Sequence, residues 1–176
     1  MIFSLVKVLS KYIPMLILVV IVILLIIFMF SNMNCTKFKS PNKKHIISYD
    51  FDNTLKNQYN GKPIYPIVKR MLEDRDKGKE IIICTARMEE HTNEIRNFLQ
   101  KYNMENTPII ATNRAVKSPS LGKYAKDGYI VTHYDDQEGI LADLVKNVPN
   151  IIAYKVLYED VTPDTSYDDI VVRYQI

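Results

Sequence analysis

After residue 44, short apolar runs alternate with amphipathic stretches along the chain. Five of the runs have the length and aliphatic content of buried strands, at 46–49, 80–85, 108–112, 129–134 and 151–157. Because strands that alternate with helices form parallel sheets covered on both faces, the pattern indicates an α/β fold. We predict a three-layer, Rossmann-like parallel sheet of about five strands.

Helical patterns fill the intervals between these runs. The clearest is predicted over 89–102, where the i, i+3, i+4 and i+7 positions of one face are Ile95, Phe98, Leu99 and Tyr102. A second helix ends at Gly78, a third begins at Ser118-Pro119, and a fourth has its apolar face over 140–148. The acidic tail ends in a possible edge strand over 170–172.

The segment 13–30 differs from the rest of the chain, because it is almost entirely aliphatic or aromatic and carries no charge. As a helix, its 18 residues would extend about 27 Å, which is close to the thickness of a bilayer core. A cleaved signal peptide is the alternative, but the segment is long for one and no small-residue cleavage site follows it. We therefore predict that residues 1–30 contain a signal anchor with one transmembrane helix.

Positive charge is concentrated around this segment. Two lysines precede it, and four lie in the stretch 31–44, which is predicted to be a basic linker. The larger number on the C-terminal side favours a single-pass membrane protein whose C-terminal domain is cytoplasmic. The linker lysines are suited to contact with anionic headgroups, although a solvated linker has the same composition.

The remaining residues, 45–176, hold 17 basic and 20 acidic side chains and have a net charge of −3, against +3 for the whole chain. Non-specific binding to long nucleic acids needs a basic surface, so this domain is not expected to bind them in that way. Two cysteines, Cys35 and Cys84, are too few for a disulfide framework. Cys84 lies in an apolar run, which is typical of a buried thiol.

Polar residues directly follow three of the predicted strands. They are Asp50 and Asp52 after the first strand, Thr85 and Arg87 after the second, and Asp135 and Asp136 after the fourth. The carboxyl ends of parallel strands share one edge, which is where ligands bind in such sheets, so we expect these side chains to converge. Neighbouring carboxylates repel unless a cation or proton lies between them, and Mg²⁺ prefers oxygen ligands. The pattern predicts a metal site with one carboxylate free for chemistry.

Such a site has the groups that phosphoryl transfer needs. Asp50 is placed to attack phosphorus as a nucleophile, and Asp52 to protonate the leaving oxygen and then activate water. The Thr85 hydroxyl and a lysine are suited to bind the remaining phosphoryl oxygens, where charge lies in the transition state.

The same residues resemble the four motifs of the haloacid dehalogenase (HAD) superfamily of phosphatases. The stretch 50–54, DFDNT, is similar to the first motif, D-x-D-x-T, which includes Thr54. Thr85 is similar to the strand-terminal Ser or Thr of the second motif, and Lys117 to the lysine of the third. Asp135-Asp136 is similar to the acidic fourth motif. The resemblance covers about residues 45–158.

The resemblance implies that residues 45–176 form a HAD-like catalytic domain with Mg²⁺ as cofactor. It implies a phosphomonoester hydrolase that forms an aspartyl-phosphate on Asp50, with Asp52 as acid and base. The metal ligands would come from Asp50, Asp52, Asp135 and Asp136, and the substrate phosphate would be bound by Thr85, Lys117 and Arg87.

Several assignments stay open at this point. Lys123 and Lys126 compete with Lys117 for the phosphate-binding role, and either Asp135 or Asp136 could bind metal directly. Arg87, and more weakly Arg114, are candidates for substrate contact, although arginines at such positions are also ordinary surface residues. The three histidines have no metal-ligand spacing, so His133 is interpreted as a core or surface residue. Asn53 occupies a position where many relatives have glycine.

The spacing of the motifs leaves no room for an inserted cap domain. Capless members of the superfamily have open sites, so the predicted partner is a phosphorylated small molecule, nucleic-acid end or phosphoprotein. The membrane is a second partner through the N-terminal helix, and no obligate protein partner is inferred. The alternative to an enzyme is a catalytically inactive, membrane-tethered interaction module with the same fold.

Overall fold

The computed structural model describes residues 20, 21, 23, 44–159, 161–162 and 164–175. The chain divides into two units, Met1–Asn42 and Lys43–Ile176. In the first unit, Val20, Ile21 and Ile23 are helical. The rest of the predicted membrane helix and, apart from Lys44, the predicted basic linker lie outside the described residues. Among the residues that are described, no helix has both the length and the apolar character needed to cross a membrane.

The second unit contains six strands and five α-helices in its described part. The strands are β1 (His45–Tyr49), β2 (Glu80–Thr85), β3 (Ile109–Ala111), β4 (Ile130–Asp135), β5 (Ile152–Val156) and β6 (Val171–Tyr174). The helices are α1 (Tyr65–Asp76), α2 (Thr92–Gln100), α3 (Ser118–Lys126), α4 (Glu138–Asn147) and α5 (Tyr167–Ile170). A 3-10 turn, Glu89–His91, precedes α2.

All six strands form one sheet in the order β3-β2-β1-β4-β5-β6. The first five strands are parallel, and β6 pairs antiparallel with β5. The predicted α/β class is therefore confirmed, and the order is compatible with a Rossmann-like sheet. The expected count of about five strands is corrected to six, because the tail folds back and Val171 pairs with Val156. Ile170 ends α5 and does not belong to the strand.

Apolar side chains cover both faces of the sheet. On one face, Ile47 and Ile83 pack with α1 and α2. On the other face, Ile46 and Ile82 pack with Leu121 of α3 and with α4. Adjacent strand residues point to opposite faces, so β1 and β2 supply core residues to both layers, as expected for buried parallel strands. Cys84 is buried in the second layer, as predicted.

The local signals in the sequence locate the helix ends well, with one exception. Helix α3 begins at Ser118, as the Ser-Pro pair indicates, and Gly78 follows α1 with a φ of +72°. The helix predicted over 89–102 is shorter, since residues 89–91 form a 3-10 turn. The Thr92 hydroxyl donates a hydrogen bond to the Glu89 carbonyl at 2.8 Å and so closes this turn at the start of α2.

Candidate active site

Three carboxylates meet where the strand order reverses, between β1 and β4. Tyr49 of β1 is in register with Tyr134 of β4, so Asp50 and Asp135 follow at the same level. The Asp50 amide also donates to the Tyr134 carbonyl at 2.9 Å, which extends the pairing by one residue. Each of Asp50, Asp135 and Asp136 offers an oxygen, and the three oxygens lie within 4.8 Å of one another. We call these residues the carboxylate cluster.

A buried lysine neutralises part of this cluster. The Lys117 ammonium donates to Asp50 Oδ1 and to Asp135 Oδ2, both at 2.6 Å. Lys117 lies directly before α3 and is only 1% exposed, whereas Lys123 and Lys126 are exposed on that helix. Of the three candidate lysines, Lys117 is thus the one that the fold places at the cluster.

His133 supports Asp135 from inside the sheet. Its Nε2 lies 3.1 Å from Asp135 Oδ2, and its Nδ1 lies 2.9 Å from the Ser48 hydroxyl. His133 is fully buried, so it is a core histidine in this fold, and its bonds to Ser48 and Asp135 were not foreseen from the sequence. The strand period of two places His133 and Asp135 on one face of β4 and would have suggested their contact. The pairing with Ser48 depends on the register of β1 and β4.

Burial and mutual repulsion shift the pKa values of the cluster in different directions. Burial raises the pKa of Asp50 to about 7, although the Lys117 ammonium opposes the shift. Burial also raises the pKa of Asp136, to about 6, and the charge of Asp135 adds to the shift. For Asp135, burial acts upward, but Lys117 and the hydrogen bond from His133 bring the pKa below its usual range. Asp135 is accordingly the carboxylate that stays ionised.

The raised pKa of Asp136 predicts a pH-dependent effect of Asp136→Asn on the metal-free protein. The folded pKa of about 6 exceeds the ordinary value of 3.8, so folding favours protonated Asp136 and its ionisation costs stability. That cost begins above about pH 4 and is complete above about pH 6. We expect the variant to gain a few degrees in melting temperature over the wild type as pH rises from 4.5 to 7 in EDTA. Asp127→Asn, at an exposed position after α3, is the control, and a gap that does not widen with pH would contradict the prediction.

The carboxylate of Asp52 is turned away from the cluster towards a second group of charges. Arg87 donates to both of its oxygens, each at 2.7 Å, and also pairs with Glu94 of α2. Lys56 pairs with Glu94 in turn, and the Arg87 guanidinium lies over the Phe51 ring at 4.9 Å. These bonds raise the pKa of Arg87, and the hydrogen bond to Asp52 contributes most. Arg87 is therefore engaged with acidic side chains, and Asp52 is not one of the three clustered carboxylates.

The remaining predicted residues lie close to these groups. Thr85 ends β2, is 1% exposed, and accepts a hydrogen bond from the Arg87 amide at 3.3 Å. Thr54 is buried, and its hydroxyl has no hydrogen-bond partner within the described residues. Arg114 is exposed, in a loop whose backbone bonds to Ala86 at 2.7 Å.

Asn53 occupies a backbone conformation that explains the residue type there. Its φ is +54°, in the left-handed region that glycine and asparagine adopt most readily. Its side chain donates to Asp136 at 3.4 Å and accepts from the Gln58 amide at 3.2 Å. Asn53 thus joins the carboxylate cluster to the loop that follows.

That loop, residues 56–63, folds back on itself as a flap. The backbone of Lys56 forms isolated β-bridges with Asp52 and with Pro63. The Asn57 amide donates a hydrogen bond to the Lys62 carbonyl at 2.9 Å. The Asn57 side chain accepts from the Tyr59 and Asn60 amides. The sequence indicated only a polar loop here, and the flap presents the exposed Tyr59, whose ring stacks on Tyr158 after β5.

The cluster has the chemistry of a site for a hard cation. It combines three carboxylates with one ammonium, and Asp136 Oδ1 is buried without a hydrogen-bond partner among the described residues. An uncompensated buried oxygen is costly, and a divalent cation among the carboxylates would satisfy it.

A surface cavity of about 700 Å³ between α1 and residues 164–168 includes none of these side chains.

Comparisons of the chain with protein-family models, with curated proteins and with solved structures find no match. The resemblance to the HAD superfamily therefore stays a prediction, and the case for a function is made from the site itself.

Proposed function

We propose that this protein is a Mg²⁺-dependent phosphomonoester hydrolase of the HAD type, which acts through an aspartyl-phosphate on Asp50. The observation that carries the proposal is the shared contact of Lys117 with Asp50 and Asp135, at the edge where β1 and β4 end. A buried lysine between two carboxylates, with a third in reach, combines a nucleophile with groups that neutralise phosphate charge.

The reaction divides into two displacements at phosphorus. A carboxylate oxygen of Asp50 forms the new P–O bond, and the bond to the leaving oxygen breaks with its electron pair. Asp52 gives that oxygen a proton, so an alcohol departs. Asp52 then takes a proton from water, whose oxygen attacks phosphorus and releases inorganic phosphate and the Asp50 carboxylate.

The charge at the reacting phosphoryl group would be balanced by the groups around Asp50. Lys117 holds Asp50 and Asp135 and leaves Asp50 Oδ2 outside its own hydrogen bond. Asp50, Asp135 and Asp136 would hold Mg²⁺, which when bound neutralises charge on the carboxylates and on a phosphoryl oxygen. Thr85, at the end of β2, is the candidate hydroxyl donor to another phosphoryl oxygen.

Arg87 has a double role in this proposal. While it holds both oxygens of Asp52, that carboxylate is directed towards the guanidinium and away from a leaving group. Binding of a phosphate dianion would draw the guanidinium towards the substrate and free an oxygen of Asp52, since arginine binds phosphate in the same bidentate manner. Arg87 would in this way couple substrate binding to the availability of the acid.

The apolar segment 13–30 supports a further part of the proposal, namely that the enzyme is tethered to a membrane with its domain on the cytoplasmic side. A helix of that length and composition spans a bilayer core, and the lysines of 31–44 favour this orientation.

The direct test is phosphate release by the purified full-length chain, kept in mild detergent because of the apolar segment. We expect turnover of a generic aryl phosphate with Mg²⁺ and a loss to background in excess EDTA, because three clustered carboxylates then repel the substrate. Re-addition of Mg²⁺ should restore the rate. Binding of Mg²⁺ without turnover of any phosphomonoester in a broad panel would reject the enzyme in favour of a binding module.

A further inference from the structure

Two tyrosine rings are in contact at the edge of the sheet where β4 and β5 end. Tyr59 in the flap and Tyr158 after β5 are stacked, with ring centroids 6.4 Å apart and planes inclined by 21°. Tyr59 is 76% exposed, whereas Tyr158 packs partly against the core. We call these residues the tyrosine pair. The outer ring presents a flat aromatic face to solvent, which is suited to stack on a planar ligand group.

Two observations relate the position of the tyrosine pair to that of the carboxylate cluster. Tyr158 follows β5, which lies next to β4 and its terminal aspartates. Lys155 of β5 is in register with Asp135 of β4, so Tyr158 follows three residues beyond that level of the sheet. On the flap side, Asn53 bonds both to Asp136 and to the amide of Gln58, the residue before Tyr59.

Hydrogen bonds also hold the backbone at the tip of the flap. The Asn57 side chain accepts from the Tyr59 amide at 2.9 Å and from the Asn60 amide at 3.2 Å. Tyr59 is therefore presented from a hydrogen-bonded turn, with its ring against Tyr158 on one side and open on the other. A flat, preformed aromatic surface is what a planar ligand group needs for stacking, because little ordering is required on binding.

We propose that the tyrosine pair binds a nucleobase, so that the substrate of the proposed phosphatase is a nucleotide. This inference rests on the proposed function and narrows its substrate class. The net charge of −3 of residues 45–176 fits a ligand held by stacking and by its one phosphate, since a long strand would need a basic track. The same chemistry is offered by a free mononucleotide and by the terminal nucleotide of an oligonucleotide, and the experiment separates them.

The main comparison of the test is between AMP and ribose 5-phosphate, which share the sugar phosphate and differ in the base. The full-length chain is assayed with AMP and ribose 5-phosphate, and in parallel with adenosine 3′-monophosphate and an oligonucleotide carrying a 3′-phosphate. We expect kcat/KM to be higher for a nucleotide than for ribose 5-phosphate. Tyr59→Ala should lower it roughly tenfold for the nucleotide and change it less than twofold for ribose 5-phosphate, since one base–aromatic stack is removed. The nucleotide with the highest kcat/KM shows whether the substrate is a free mononucleotide or the end of an oligonucleotide.

Two further variants separate stacking from a structural role. Tyr59→Phe keeps the ring and should retain the preference for the base. Tyr65→Ala removes another half-exposed tyrosine, which lies in α1 and lines the separate surface cavity, and should change neither rate. An equal loss for AMP and ribose 5-phosphate in Tyr59→Ala would mean that the pair only holds the flap in place, and would overturn the inference.

Binding measurements keep this inference separate from the proposed function. Calorimetry with Mg²⁺ should give tighter binding of AMP than of ribose 5-phosphate, and Tyr59→Ala should abolish the difference, whether or not the protein turns them over. Base-dependent binding without turnover would reject the hydrolase and retain the nucleobase site. Turnover without any preference for the base would retain the hydrolase and reject the nucleobase site.

Discussion

Asp50→Asn is expected to lower the turnover of every phosphomonoester by about 10⁴-fold or more, because it removes the nucleophile of the first displacement at phosphorus. Asparagine keeps the shape of the side chain and can still accept the hydrogen bond from Lys117, so the fold should persist. Binding of substrate should weaken far less than the rate falls. The measurement is kcat for the full-length variant under saturating Mg²⁺ and substrate.

The chemical step can be followed on the same variant. Rapid acid quenching of the wild-type reaction should leave a phosphoryl group on the peptide that contains Asp50, detectable by mass spectrometry, and the variant should have none. Asp127→Asn serves as the matched control, since that aspartate is exposed after α3. Turnover by Asp50→Asn at more than a few per cent of the wild-type rate would reject Asp50 as nucleophile.

Lys117→Met is expected to destabilise the metal-free protein by about 3–5 kcal/mol, the usual cost of removing one partner from a buried ion pair. Lys117 is 1% exposed and bridges Asp50 and Asp135, while Asp136 lies in the same cluster. Methionine preserves the length of the side chain but leaves buried carboxylates without a counter-charge. The free energy of unfolding, measured in urea with EDTA, gives the size of the effect.

Mg²⁺ provides a second readout for this variant. A divalent cation among the carboxylates supplies the charge that the missing ammonium supplied, so Mg²⁺ should stabilise Lys117→Met more than the wild type. Catalysis should not recover to the same extent, because the lysine also orients Asp50. Lys123→Met, on the exposed face of the same helix, is the control for a general effect of losing a lysine. Equal stability of the two variants would contradict the role given to Lys117.

The cluster itself was largely predictable from local sequence. Asp50 and the Asp135-Asp136 pair each follow an apolar run, and parallel strands end at one edge, so their convergence follows from the strand period and the α/β pattern alone. These inferences rest on short-range rules, which act within one strand or turn. The left-handed backbone at Asn53 was not predicted, although it agrees with the glycine that many HAD relatives have at that position.

Contacts between side chains from different elements were not predictable in the same way. Lys117 was preferred because it directly precedes the Ser-Pro helix start, but Lys123 and Lys126 stayed open, and only the packing of α3 against the sheet shows which lysine is buried. Arg87 was expected to face a substrate, yet its pairing with Asp52 depends on how the loop after β2 lies against the turn after β1. Each of these outcomes depends on distances between residues that are remote along the chain.

The sequence by itself determined the α/β alternation, the buried strands and the line of acidic residues at the strand ends, because apolar periodicity and burial are local consequences of residue type. Only the tertiary structure decided that the predicted edge strand pairs antiparallel with β5, that His133 spans Ser48 and Asp135, and that Tyr59 meets Tyr158. These contacts depend on strand register and on the placement of loops. Both are determined by the free energy of the whole fold and not by that of any one segment.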